Sequence, residues 1–308
     1  MRLIYAVSIF LLVTMISAKC QQNADNWFDE GFALDAQGKY DEAIKAYDEA
    51  VKLDPNLAPA WAGKGSILAD LGKYNESIEA YDEAIRIDPN LTEAWAGKGH
   101  VLADQGKYDA AIKAYDEAIR LNPNLAGAWN NKGNALKDQG KYNESTEAYD
   151  EAIKLNPNYA GAWSNKGVVL KNQGKYNESI RAYEEAIRLD PNLAEAWNNK
   201  GNALYFRGKY YESIEAYDEA IRLDPNLAGA WYNKGNALEA LGRHTEADAA
   251  FARARELGGG TEPGPVRACT SARSRPWAGP RPHAHARATR QSAAVIFLGN
   301  HPNLMPSS

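Results

Sequence analysis

Adjacent carboxylates are the first residues in this 308-residue sequence whose spacing suggests chemistry. Asp48-Glu49 and Asp82-Glu83 are such pairs. Two carboxyl groups divide acid and base work when their surroundings push their pKa values apart. The pair recurs at a fixed interval along the chain, however, and so reads as a solvated helix face rather than one reacting centre. Histidine is the next choice of ligand or base. His283 and His285 stand two apart without further ligands, and His100 and His244 are isolated, so neither group has the donor count of a metal site. No nucleophile–base constellation, phosphate loop or dinucleotide fingerprint is present. We therefore expect no enzyme activity, no cofactor and no metal. What is left is asparagine, whose amide both donates and accepts. Asn75-Glu76-Ser77, Asn90-Leu91-Thr92, Asn143-Glu144-Ser145 and Asn177-Glu178-Ser179 are glycan acceptor sequences. In all but the second, the serine falls at a small packing position, which favours a structural reading.

These residues are carried by a repeat. Tryptophan recurs every 34 residues at Trp27, Trp61, Trp95, Trp129, Trp163, Trp197 and Trp231. Glycine follows four residues later each time, from Gly31 to Gly235, and again from Gly38 to Gly242. Alanine recurs from Ala50 to Ala254. In residues 194–227, Trp197, Gly201 and Leu204 lie on one face of a first helix, A. Gly208 ends it, since glycine accepts the left-handed conformation at a helix C-terminus. Tyr210, Ser213, Ile214, Tyr217, Ala220 and Ile221 keep helical spacing in a second helix, B. Asp224-Pro225-Asn226 stops that one. One antiparallel pair cannot bury its apolar face alone, so the chain is expected to be all-α, a solenoid of stacked pairs.

The pattern Trp-x3-Gly-x2-Leu-x3-Gly-x-Tyr-x2-Ala/Ser-x3-Tyr-x2-Ala-x4-Pro resembles the tetratricopeptide repeat. It covers residues 24–257 in seven copies: 24–57, 58–91, 92–125, 126–159, 160–193, 194–227 and 228–257. The resemblance implies a right-handed superhelix whose helices A line a concave groove that binds peptides or partner segments. One departure is lysine at the seventh position of repeats two to seven, from Lys64 to Lys234, where the family often has leucine. A lysine stem covers apolar surface while its charge stays wet. The seventh copy loses its closing proline, and no polar capping helix follows it, so the end of the array is expected to be exposed.

In the family, positions 2, 5, 6, 9, 12 and 13 of helix A line the groove. Position 6 carries Asn131, Asn165, Asn199 and Asn233; position 9 adds Asn134, Asn202 and Asn236; position 5 adds Asn130 and Asn198. Such a ladder pairs with an extended peptide backbone without reading its sequence, and is similar to the one in the repeats of O-linked N-acetylglucosamine transferase. The carboxylate clamp of chaperone-binding repeats includes lysine at position 5, which this chain lacks. Asp70, Asp104 and Asp138 at position 13 make the earlier part acidic, while Tyr205, Phe206 and Tyr232 place aromatic anchors near the far end.

Both ends of the chain differ from the repeats. Arg2 precedes an apolar run, Leu3–Ile16, and the small residues Ser17 and Ala18. Residues 1–19 read as a secretory signal with cleavage near Ala18, which implies a secreted or envelope location. The alternatives are an uncleaved anchor or a lipid on Cys20, the only routes to a membrane. Residues 258–308 hold six arginines and one acid, share nothing with the repeats, and are expected to be a disordered basic tail. Cys20 and Cys269 lie outside the repeats, so no disulfide framework holds them. Residues 20–257 carry 27 basic and 39 acidic side chains, which argues against nucleic acid. The expected partner is a protein or peptide. Self-assembly through the exposed end of the array, or presentation of substrates to a separate enzyme, are the competing roles.

Overall fold

A computed structural model describes residues 23–258 of the chain. The expected signal, the arginine-rich tail, both cysteines, His283 and His285 lie outside these residues. The described part is a succession of helix pairs. They are α1 (23–36) with α2 (Tyr40–Leu53), α3 (Ala58–Asp70) with α4 (Tyr74–Ile87), and α5 (Thr92–Asp104) with α6 (Tyr108–Leu121). Then come α7 (Ala126–Asp138) with α8 (Tyr142–Leu155), α9 (Ala160–Asn172) with α10 (Tyr176–Leu189), α11 (Ala194–Phe206) with α12 (Tyr210–Leu223), and α13 (Ala228–Ala240) with α14 (His244–Glu256). Odd-numbered helices are A, even-numbered are B. No strand occurs among the described residues. They fall into two compact units, 23–135 and 136–258.

Local chemistry sets each boundary. Gly208 has φ +73°, the left-handed value that a side chain resists. Its N–H bonds to the Tyr205 carbonyl at 2.8 Å, and the Lys209 N–H reaches back to Leu204 at 3.0 Å, which closes α11 with a Schellman motif. After α12, the Asp224 carboxylate accepts from the Asn226 N–H at 3.0 Å and turns the chain at Pro225. The indole N–H of Trp231 then donates to the Pro225 carbonyl at 3.1 Å and ties the turn to α13. The same tie recurs from Trp95 to Pro89 and from Trp163 to Pro157.

The core is built on one contact repeated along both units. A helix-B tyrosine lies flat on a helix-A glycine of its own repeat. In the first unit Tyr47 covers Gly31, and Gly63 of the following repeat closes over the same ring. In the second, Tyr183 covers Gly167 and Tyr217 covers Gly201, with Phe251 doing the same to Gly235. The tyrosines are fully buried, and burial pushes their hydroxyl pKa values well above the usual phenol range. Serine at the small position of helix B serves the same approach. Ser77 Oγ donates to the Gly65 carbonyl at 2.6 Å and Ser179 Oγ to that of Gly167 at 2.8 Å. Both belong to the glycan acceptor sequences, and both are buried.

The expected core face of helix A needs correction. Positions 8 and 11 are buried, but the tryptophan at position 4 is only half-covered. The deepest residues are instead alanine at position 3 (Ala60, Ala94, Ala162, Ala196, Ala230) and the apolar residue at position 10 (Ile67, Val101, Val169, Ala203, Ala237). In a stack, helix A meets both its own helix B and the one before it, so two faces are buried where an isolated pair buries one.

The lysines at position 7 join successive repeats. Lys64 pairs with Asp48 at 2.6 Å, Lys166 with Asp150 at 2.5 Å, Lys200 with Glu184 at 3.0 Å and Lys234 with Asp218 at 2.5 Å. Lys98 pairs with Asp82 in the same way. Each ammonium also lies over its own repeat's tryptophan, as Lys64 does at 5.5 Å from the Trp61 ring. The recurring carboxylate pair is thereby divided: Asp48 reaches the next repeat, and Glu49 bonds Lys52 within its helix.

At the two extremes these inter-repeat positions change character. In α1, position 3 is Asn26 and position 7 is Glu30, where later repeats carry buried alanine and lysine. In α14 the two isoleucine positions that pack on a following repeat, as Ile214 does on Ala237 and Leu238, hold exposed Asp248 and Arg255. The carboxylate that would receive a further lysine is replaced by Ala252. The outward side of α14 therefore carries its own polar residues, contrary to the expectation of an uncapped end.

Two outcomes follow from this packing. Gly201→Ala sets a methyl 2.5 Å from Tyr217 and is expected to cost about 1–3 kcal/mol, read as a lower urea midpoint. Gly229→Ala meets nothing within 4 Å and is expected to leave that midpoint unchanged or raise it. Replacing Asp248 and Arg255 together by isoleucine should produce concentration-dependent association in sedimentation, while the unaltered chain shows none through this surface.

Candidate functional site

The helix-A residues turned away from helix B were expected to line a binding face. In the second unit Asn165, Asn198, Asn199, Asn202, Asn233 and Asn236 are all half-buried, on α9, α11 and α13. Two hydrogen bonds organise them. Asn233 Nδ2 donates to Asn198 Oδ1 at 2.9 Å, which links position 6 of one repeat to position 5 of the repeat before. Asn202 Oδ1 accepts from the buried Tyr217 hydroxyl at 2.9 Å. The tyrosine that sits on Gly201 thus also fixes the orientation of a ladder amide. With these bonds made, the amide inventory leaves Asn202 its N–H groups, Asn233 its carbonyl oxygen and Asn198 its N–H groups for further partners.

Tyr183 shows what happens without that acceptor. Val168 holds position 9 in its repeat, and the Tyr183 hydroxyl is buried with no hydrogen-bond partner among the described residues. In the first unit, Asn131 and Asn134 on α7 are half-buried, but Asn130 is only 5% exposed. Its Nδ2 donates to Asn131 Oδ1 at 3.2 Å. Asn130, expected as a ladder contact, is thus bonded to the neighbouring asparagine.

The aromatic residues divide into two groups. Tyr232 tilts against Phe251, with ring centroids 5.5 Å apart, and so turns partly inward. Tyr205 and Phe206 stand edge to face at 5.7 Å at the end of α11. Phe206 then stacks on Tyr176 of the preceding repeat at 5.6 Å and 13°, and Tyr205 tilts on Tyr210 at 5.3 Å. Phe206 is 56% exposed and Tyr211, on the first turn of α12, 66%. Burial, then the nearby phenols of Tyr210 and Tyr232, push the Tyr205 hydroxyl pKa upward. Tyr176 and Tyr211 were not singled out in the sequence, and Tyr210 was read there only as a packing residue of helix B. For Tyr211 the available signal was the departure of this repeat from its template at position 18, whereas Tyr176 is the template tyrosine of position 17 and carries no such signal.

Polar pairs hold this edge in other repeats. Gln105 Nε2 donates to Asn75 Oδ1 at 3.1 Å, and Gln173 Nε2 to Asn143 Oδ1 at 2.9 Å. The acceptor asparagines of two glycan sequences are therefore engaged between repeats. No group of three His, Cys, Asp or Glu side chains suited to a metal occurs among the described residues, nor any helix long and apolar enough to cross a membrane.

Comparison with known proteins agrees with this architecture. Residues 62–263 match the family model described as Cilia and flagella-associated protein 70 C-terminal domain, and residues 28–91 match the model described as Tetratricopeptide repeat. A search of curated proteins returns no match. Among solved structures, a tetratricopeptide repeat protein from Parabacteroides merdae is 17% identical with a TM-score of 0.61, over 77% of this chain and 94% of its own. Pseudomonas aeruginosa pilF is 20% identical with a TM-score of 0.59, over 66% and 93%. YrrB, described as a repeat protein with an unusual peptide-binding site, is 21% identical with a TM-score of 0.52, over 62% and 98%. At these identities the likeness is one of fold.

The Tyr183 contrast can be tested. Val168→Asn supplies the acceptor that Tyr217 finds in Asn202, and is expected to raise stability by about 0.5–1.5 kcal/mol in denaturant unfolding. Asn202→Val should lower it by a similar amount.

Proposed function

The chain belongs to the tetratricopeptide repeat family, and on that premise we propose that it is a non-catalytic scaffold that binds an extended peptide or partner segment along its asparagine-bearing helices A. The observation that carries this reading is the pre-ordering of the amides. Asn233 is tied to Asn198, and Asn202 is held by Tyr217, so the remaining donors and acceptors are already oriented. A peptide backbone offers alternating N–H and C=O groups that match such amides whatever its side chains. Fixing the amides beforehand removes part of the ordering entropy that binding would otherwise cost.

The competing role as a self-assembling envelope component has less support. Glu30 and Asn26 at one extreme, and Asp248, Ala252 and Arg255 at the other, remove the contacts by which one repeat stacks on the next. Presentation of substrates to a separate enzyme is the same binding in another setting. The basic start, apolar run and small residues of positions 1–18 support a location outside the cytoplasm.

The test uses the full chain immobilised beside a variant with Asn165, Asn199 and Asn233 of the second unit changed to alanine, each exposed to a native envelope extract. A partner held by the first column and at least about tenfold depleted on the second supports the reading. Equal retention on both columns contradicts it.

A further inference from the structure

The sixth repeat alone places aromatic side chains at positions 12, 13 and 18 of the template. Position 13 is Asp70, Asp104, Asp138 and Asn172 in the four preceding repeats, and Phe206 here. Position 18 is Asn75, Asp109, Asn143 and Asn177, and Tyr211 here. Position 14, glutamine in the three preceding repeats, is Arg207. The Gln173–Asn143 bond has its counterpart here in a ring stack, Phe206 on Tyr176. Joining two repeats explains the stack, but not why Phe206 and Tyr211 remain more than half exposed on a surface of charged and small residues. Aromatic groups left open in this way are what a partner's anchor covers.

Cations also flank the stack, of which Arg207 is a departure from the template and Lys175 is a template residue. Arg207 follows Phe206, Lys175 precedes Tyr176, and Lys171 holds, one repeat earlier, the position of Tyr205. None of these three cations forms an ion pair among the described residues. Nearby cations are paired, Lys209 with Glu212 at 2.9 Å and Arg243 with Glu246 at 2.6 Å. Lys171 is desolvated enough for its pKa to fall below the usual lysine value, so a carboxylate brought beside it would relieve that cost. The chain carries an excess of acids over residues 20–257, and this edge reverses the sign locally. The chain's own residues 258–308, with six arginines and one acid, have the wrong charge to lie here.

We propose that Tyr176, Tyr205, Phe206 and Tyr211, flanked by Lys171, Lys175 and Arg207, form an anchor subsite for a partner peptide that carries an aromatic or large aliphatic side chain beside an acidic one. This rests on the reading that the asparagine-bearing face of the second unit holds a peptide. Asn199, Asn202 and Asn233 hold the backbone without regard to sequence, and the aromatic edge supplies the selection. Tyr205 joins the two, since it touches Phe206 and Tyr210 and its hydroxyl senses Tyr232 beside Asn233.

The template provides variants that preserve the fold. Phe206→Asp, Arg207→Gln and Tyr211→Asn, made together, restore residues that neighbouring repeats carry at these positions. A random peptide library displayed on phage is panned on the full unaltered chain, and a selected peptide is synthesised with a fluorescent label. The expected peptides have Asp or Glu beside Trp, Phe or Leu. Their affinity should fall about tenfold or more on the restored variant. Exchange of the peptide's acid for its amide should weaken binding to the unaltered chain, and have little further effect on the restored variant. Equal affinity for the unaltered and restored chains, peptides without an acid, or no selection at all each overturn the proposal. An Asn199→Ala/Asn233→Ala variant separates the two readings. Loss on this variant with none on the restored one leaves the ladder standing and removes the anchor. Loss on the restored variant alone supports the anchor and removes the ladder.

Discussion

An aromatic ring of helix B lying on a glycine backbone of helix A sets the distance between the helices within each unit, with tyrosine in that role at Tyr47, Tyr183 and Tyr217 and phenylalanine at Phe251. Gly201 has no side chain because Tyr217 occupies the space where one would go, and the same holds for Gly167 with Tyr183 and Gly31 with Tyr47. The ring buries a large apolar area at close range while its hydroxyl must find a polar neighbour or remain unsatisfied. That second demand couples packing to function. Where position 9 is Asn202, the hydroxyl is satisfied and the amide becomes fixed. Where it is Val168, the hydroxyl finds no acceptor at that position among the described residues and the site loses a rung.

Charge then specifies how pairs follow one another. The lysine at position 7 bonds a carboxylate of the preceding repeat and lies over its own tryptophan, so one residue engages both. A partly exposed ion pair of this kind contributes little stability by itself, about 0–1 kcal/mol. The absence of lysine from α1 and of its acceptor from α14 ends the series on each side. The first and last helices thus differ from the template at positions that matter for stacking, while the tryptophan and glycine positions persist.

Much of this was legible in the sequence. The 34-residue spacing of tryptophan, glycine and alanine gives the helix pairs, and Gly208 and Pro225 mark their ends, because helix termination is a local matter of backbone conformation. Burial in a stack is not local. Ala196 and Ala203 are deeper than Trp197 because a preceding helix B covers them, and spacing within one repeat does not reveal that neighbour. The roles of Asn130, Asn198 and Asn233 were partly hidden for the same reason: which amides face out and which bond each other depends on side chains about a repeat apart. Phe206 was expected to be an anchor, but its stack on Tyr176 joins positions thirty residues apart and required the fold.

The central claim is that side-chain amides held by the tyrosine–glycine packing grip the ligand. Nuclear magnetic resonance reads these groups individually, through the side-chain NH2 signals of a nitrogen-labelled chain titrated with a bound peptide. The signals of Asn198, Asn199, Asn202 and Asn233 are expected to shift together as the peptide saturates, while that of Asn143, bonded to Gln173 at the turn edge, stays in place. A saturating peptide that leaves those four signals unmoved would contradict the claim.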